Sequence, residues 1–167
     1  MFVREEVRLT LSFPTAHAGL TALAQDSQLL TASRAAYSDG VAGLARVGPP
    51  GSWPGLSKLV MIHVGDVSAS DGLARLPLRW EATGPGSSLF PALDADISLS
   101  PDGTNVTELT LTGVYRPPLG SLGAMLDRVV LSRVAAATVR GFLGQLAQAL
   151  GARSTATERS NLEQGQY

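Results

Sequence analysis

The chain contains no cysteine, so disulfides, thiolate metal sites and thiol redox chemistry are all excluded. Lysine is nearly absent: Lys58 is the single one among 13 basic residues, and the arginines are scattered rather than clustered. With a formal net charge of -1, there is no bulk attraction to nucleic acid or to an anionic lipid surface. Aromatic residues make up 5% of the chain, too few for a surface that stacks bases. Long apolar runs are missing too. None reaches the roughly 20 residues that a bilayer span requires. The opening Met1-Phe2-Val3-Arg4-Glu5-Glu6 carries charge where a signal peptide needs an apolar stretch. Together these absences predict a cytoplasmic protein without an integral membrane segment and without a nucleic-acid partner. What is present is ordinary: 167 residues at 44% hydrophobic content, enough for one globular core.

The first segment alternates with period two. Val3, Val7, Leu9, Leu11 and Phe13 share one face, with Glu5 near its outer end, and Arg4, Glu6, Arg8, Thr10 and Ser12 occupy the other. This pattern predicts a strand ended by Pro14. Thr15 is then placed to cap a short helix containing Leu20, Leu23 and Ala24, and a second short helix is expected from Ser27 to about Ala36.

From Tyr37 to Tyr115 turn signals recur: Asp39-Gly40, Asp71-Gly72 and Asp102-Gly103, with Gly48-Pro49, Pro54-Gly55 and Gly84-Pro85-Gly86. Between them, apolar or alternating runs predict strands at 41–47, 59–67, 73–82, 93–99 and 106–115. Leu76, Leu78 and Trp80 face one way, Arg75, Arg79 and Glu81 the other. The Gly- and Pro-rich stretch 47–57 reads as a surface loop. Strands joined by short turns in chain order argue for an antiparallel meander.

After Pro117-Pro118 the period changes to that of a helix, expected over 119–150 with an apolar stripe of Leu122, Met125, Leu126, Val129, Ala136, Val139, Leu143, Leu146 and Leu150. Gly151 is expected to end it. The reading is therefore a single domain over 1–151 and a disordered polar tail over 152–167. A long amphipathic helix and a sheet with one apolar face each need a cover, and the economical solution curls the sheet around the helix. The predicted class is α+β: a curved antiparallel sheet of about six or seven strands around a long C-terminal helix, with two short helices after the first strand.

The block Leu89-Phe90-Pro91-Ala92-Leu93-Asp94-Ala95-Asp96, the strand 109–115, the following Arg116-Pro117-Pro118-Leu119-Gly120 and the long helix resemble the START-like, or SRPBCC, helix-grip superfamily, above all its polyketide cyclase/dehydrase-like and uncharacterised bacterial members. In element order the resemblance covers about residues 3–150; at the level of sequence it is concentrated in 74–150. It implies an internal hydrophobic cavity for a lipid, polyketide or aromatic metabolite. It carries over no activity, because such proteins include carriers, cyclases and hydratases.

Candidate ligand-binding residues are those placed to face that cavity. Tyr115 ends the last strand on the Leu109/Leu111 face, Trp80 and Leu78 share the inward face of their strand, and Tyr37 follows the second short helix; aromatic rings with a polar tip orient ligands. Met125 and Val129 lie on the helix stripe. Arg133 interrupts that stripe and could hold a carboxylate or phosphate. His63, inside an expected strand, could serve as a general base if it pointed inward. The only other histidine is His17, and the pair has no metal-ligand spacing. Asp94 and Asp96 share a face opposite Leu93, Ala95, Ile97 and Leu99, which predicts that both are in water. Neither a metal nor a cofactor is implied. The sequence thus favours a binding module for a small hydrophobic molecule, a carrier or sensor. A cyclase-, aromatase- or hydratase-like enzyme in the same cavity comes second, and a module that docks protein or membrane third. The enzyme reading requires Arg133, Tyr115 and His63 to converge.

Overall fold

Period-two alternation makes the first element. The computed structural model describes residues 1–47, 60–82, 90–116 and 128–164, and in it β1 (Phe2–Leu9) buries Val3 and Leu9 while Phe2, Arg4, Glu6 and Arg8 are exposed. The chain then turns into α1 (Phe13–Gln25), capped by Ser12, not Thr15: the Ser12 hydroxyl accepts from the Thr15 N–H, and Pro14 sits in the first turn, where its missing N–H costs nothing. Asp26 adopts an extended conformation that breaks the helix. A second helix, α2 (Ser27–Val47), follows at once.

This second helix corrects the sequence reading. The strand expected over 41–47 is the end of α2, and the Asp39-Gly40 pair is helical rather than a turn. The reason lies in packing. A Cβ on Gly40 would stand 2.8 Å from the Thr138 hydroxyl oxygen of the C-terminal helix, so glycine serves close approach of two helices there. The other two Asp-Gly pairs are turns as expected. Asp71 and Gly72 take φ values of 52° and 75°, and Gly103 takes 124°, values that glycine and aspartate reach most easily.

The remaining strands are β2 (Val60–Val64), β3 (Ser68–Ser70), β4 (Leu73–Ala82), β5 (Ala92–Pro101) and β6 (Thr107–Arg116). They form one curved antiparallel sheet in the order β1-β6-β5-β4-β2, with β3 also on β4. The expected strand 59–67 is thus β2 alone, ending before Gly65, whose N–H donates to the Pro77 carbonyl. Pairing of the first strand with the last is fixed at its end by the Met1 ammonium, which donates to the Tyr115 carbonyl at 2.9 Å, and by the reciprocal Tyr115 N–H to Met1 carbonyl bond at 2.8 Å.

The C-terminal helix, α3 (Arg128–Gln164), packs against β1 and β6 on one side and α1 and α2 on another. Its buried stripe is Leu131, Ala135, Val139, Phe142, Leu143, Leu146 and Leu150. The C-terminal half matches the expected phase. Val129, however, is 53% exposed, because Leu131 and Ala135 continue the stripe instead. Leu122, Met125 and Leu126, the Pro117-Pro118 start, the loop 48–57 and Gly84-Pro85-Gly86 lie outside the described residues. Gly151 does not end the helix, and residues 152–164 are helical rather than a disordered tail. Glycines 141, 144 and 151 together cost α3 about 3 kcal/mol, whereas each fully buried Leu or Phe stabilises by about 1.5–3 kcal/mol, so the stripe wins. The last turns also find a partner: Arg153 bonds the Asp26 carboxylate at the α1–α2 break.

Two glycines give opposite expectations. A Cβ on Gly113 would meet the Asp94 carbonyl oxygen at 2.4 Å and the Ala95 Cα at 2.8 Å, backbone that cannot swing away. Gly141 is exposed and helical with nothing within 4 Å. Urea denaturation of Gly113→Ala is expected to show a loss of about 2 kcal/mol or more, and Gly141→Ala a gain of up to about 1 kcal/mol. Equal behaviour of the two variants would contradict the close approach of β5 and β6.

Candidate functional site

Strand register builds the site. Ile62 pairs with Trp80, Trp80 with Leu93, and Leu93 with Tyr115, so one row of inward side chains crosses β2, β4, β5 and β6. Above this row α2 supplies Tyr37 and Gly40, and α3 supplies Thr138. Pro91 and Ala92, at the start of β5, complete the lining of a hollow of about 10 Å³, room for roughly one water molecule. Trp80 is 1% exposed and its ring meets Phe142 of α3 edge-on, with centroids 5.1 Å apart. Its orientation is therefore set by the helix that the sheet holds.

Apart from their rings, three of these residues carry buried polar atoms. The hydroxyls of Tyr37 and Tyr115 and the Trp80 Nε1 are buried and find no hydrogen-bond partner among the described residues. The same holds for Ser33, one helical turn before Tyr37 on α2 and thus on the same face. Leaving such a group unpaired costs about 1–3 kcal/mol, so the three on residues that line the hollow weigh heavily against a typical net stability of about 5–15 kcal/mol. Burial raises the Tyr37 phenol from its usual 10.0 to about 12. It raises Tyr115 further, with the nearby Tyr37 adding to the effect. Both are neutral hydroxyls at any physiological pH.

No protein-family model and no curated protein matches the chain. Solved structures do. A conserved protein from Geobacillus kaustophilus is similar at 18% identity with a TM-score of 0.52, over 90% of this chain and 95% of that one. A norcoclaurine synthase point mutant from Thalictrum flavum, in complex with a transition-state analogue, is similar at 10% identity with a TM-score of 0.50, over 95% of this chain and 96% of the other. The chain has the helix-grip fold of these structures, a curved antiparallel sheet around a long C-terminal helix.

Within this helix grip the expected site residues separate into two groups. Tyr37, Trp80 and Tyr115 are brought together in the interior. Leu78 is buried on the same face of β4, one row further on, and does not line the hollow. The expectation that Val129, Arg133 and His63 face the interior is corrected. Val129 and Arg133 are exposed on α3, off its buried stripe. In β2 it is Ile62 and Val64 that turn inward, so the alternation puts His63 outside, its side chain 54% exposed and 3.5 Å from Glu81. Met125 lies outside the described residues. Asp94 and Asp96 are on the outer face, as expected from Leu93 and Ile97 pointing in. There Asp94 joins a row of contacts running from Arg116 through Asp94, Arg79 and Glu81 to His63 across four strands. The sequence reading missed Ser33, Gly40 and Thr138. Ser33 had a signal, its four-residue spacing from Tyr37. Thr138 had none, because its partner Gly40 was read as part of a turn.

The buried phenols predict an alkaline instability. Their folded-state pKa values lie above the unfolded value of about 10, so the fold favours the protonated form. That stability is complete below pH 10 and is lost as the pH rises through the folded values. Denaturation midpoints are expected to fall from about pH 10 upward, and Tyr37→Phe and Tyr115→Phe each to flatten the fall. A flat wild-type profile to pH 12 would contradict the burial of the two hydroxyls.

Proposed function

We propose that this chain binds a small, largely apolar molecule such as a lipid, polyketide or aromatic metabolite in the interior of the helix grip, and works as a carrier or sensor. One observation carries the reading: Tyr37, Tyr115 and Trp80 line one apolar hollow, and the donor group of each is buried without a partner among the described residues. Core packing gains nothing from a phenol where phenylalanine would fit, and pairing with a bound molecule gives those groups a purpose. The norcoclaurine synthase of the same fold holds a transition-state analogue, which supports the fold as a host for organic molecules. A cyclase- or hydratase-like activity is less well supported, because Tyr115 is interior while Arg133 and His63 are exposed, so the polar groups that would move protons do not converge.

A hollow of about 10 Å³ is far below the few hundred Å³ of a typical ligand site. In the proposed mechanism this is the closed state, and binding parts the seam where Gly40 of α2 meets Thr138 of α3. The remaining lining is sheet, held by ladders on both sides, whereas a helix can shift as a body.

The test uses the chain's two tryptophans. In proton–nitrogen NMR spectra each gives one indole signal, and Trp53→Phe assigns that of Trp80. Adding ethylnaphthalene is expected to move the Trp80 signal saturably and to slow hydrogen exchange in α2. Native mass spectrometry of untreated protein is expected to show a retained small molecule. A bare chain by mass together with an unmoved Trp80 signal would rule the binding reading out.

A further inference from the structure

We infer that α2 is the gate of the interior site. It lifts at the Gly40–Thr138 seam and turns about the break at Asp26, while α3 stays on the sheet. This rests on the binding reading and adds which element moves and about which point.

The two helices at the seam are held differently. α3 buries Val139, Phe142, Leu143, Leu146 and Leu150, and Arg140 ties it to Glu5 of β1 at 2.9 and 3.2 Å. Its Thr138 hydroxyl is satisfied within the helix, donating to the Val134 carbonyl at 2.9 Å. α2 buries Leu29, Ser33, Ala36, Tyr37, Gly40 and Val41 on one face. Ser33, Ala36 and Gly40 are small, so less apolar area holds this helix down. The Ser33 and Tyr37 hydroxyls are buried there with no partner among the described residues. Docking of α2 therefore carries a desolvation cost, and lifting relieves it because water then reaches both groups. The Thr138 hydroxyl of α3 carries no such cost.

The break between α1 and α2 supplies the pivot. α1 ends at Gln25 and α2 begins at Ser27, with Asp26 alone between them, extended at φ -90° and ψ 156°. Hinges are a few such residues at element ends that absorb a change of backbone angle. The Asp26 N–H still donates to the Ala22 carbonyl of α1 at 3.0 Å, so rotation falls on the bonds that follow, into α2. Arg153 of α3 bonds the Asp26 carboxylate and reaches the Gln28 side-chain oxygen at 3.4 Å. The pivot end is thereby tied down. Gly40 lies about 20 Å further along the helix, and a tilt of about 10° at the pivot moves it by about 3.5 Å. At the seam there is nothing to unthread. Gly40 presents no side chain, and a Cβ there would stand 3.5 Å from the Thr138 Cβ.

A disulfide across the seam tests this. The chain has no cysteine, so Gly40→Cys combined with Thr138→Cys forms one bridge, and a Cβ separation of 3.5 Å suits its geometry. Titrated with ethylnaphthalene, the oxidised full chain is expected to bind about tenfold or more weakly than the same protein reduced with a phosphine. In the wild type, hydrogen exchange is expected to be faster at residues 37–41 of α2 than at residues 139–146 of α3. Equal affinity of the oxidised and reduced forms overturns the gate and leaves the site standing. So do α3 amides that open as readily as those of α2. Failure of the wild type to bind the probe overturns the binding reading, and the gate with it. The exchange comparison needs no variant, so it decides the matter even if the cysteine pair does not fold.

Discussion

Everything in this molecule follows from the docking of one helix stripe against the inner face of one sheet. The stripe of α3 from Leu131 to Leu150 and the rows of Leu76, Leu78, Trp80, Leu93, Ile97, Leu99, Leu109 and Leu111 are each half of a core, and neither is stable in water without the other. Charge fixes their relative placement. Glu5 is the one acidic residue on the inward face of β1, and it receives both Arg140 Nη2 at 2.9 Å and Nε at 3.2 Å from α3. A carboxylate so placed would be costly without the guanidinium. The pair thus works less as a source of stability than as a penalty against other settings of helix on strand.

The strands were legible wherever local pattern and burial coincide. β4 keeps the bounds expected of it because Leu76, Leu78 and Trp80 alternate with Arg75 and Arg79. The last two strands were readable for the same reason, and the first only as far as Leu9, since Phe13 opens α1 and Pro14 does not end the strand. What failed was decided by partners remote in sequence. Asp39-Gly40 is chemically the same signal as Asp71-Gly72, and no local rule separates a turn from a place where a helix must come within reach of Thr138. Gly151 likewise looks like a stop, but positive φ is what ends a helix at glycine, and the packing of α3 gives it none.

The candidate site was partly readable. Trp80 and Tyr115 were assigned inward by alternation alone, and register then put them in one row. Val129 and Arg133 were misplaced by a phase error: spacing from Val129 to Ala136 looks as helical as spacing from Leu131 to Val139, and only burial distinguishes them. His63 was different. In the run Val60-Met61-Ile62-His63-Val64 the face of Val60, Ile62 and Val64 is wholly apolar and that of Met61 and His63 is not, so alternation already pointed His63 outward.

Polarity is divided sharply between the two faces of the sheet. The outer face carries the charges, linked from Arg116 to His63 through Asp94, Arg79 and Glu81. These side chains are mostly half-exposed, so each pair adds little stability. The inner face carries donors that are neutral, buried and unpaired among the described residues. A surface that needed only to be soluble would account for the first arrangement. A core that needed only to be stable would not account for the second, because Phe at 37 and 115 would fill similar space without the desolvation penalty. The cost of those hydroxyls is what directs the proposed binding to the interior and not to the better-populated charged face.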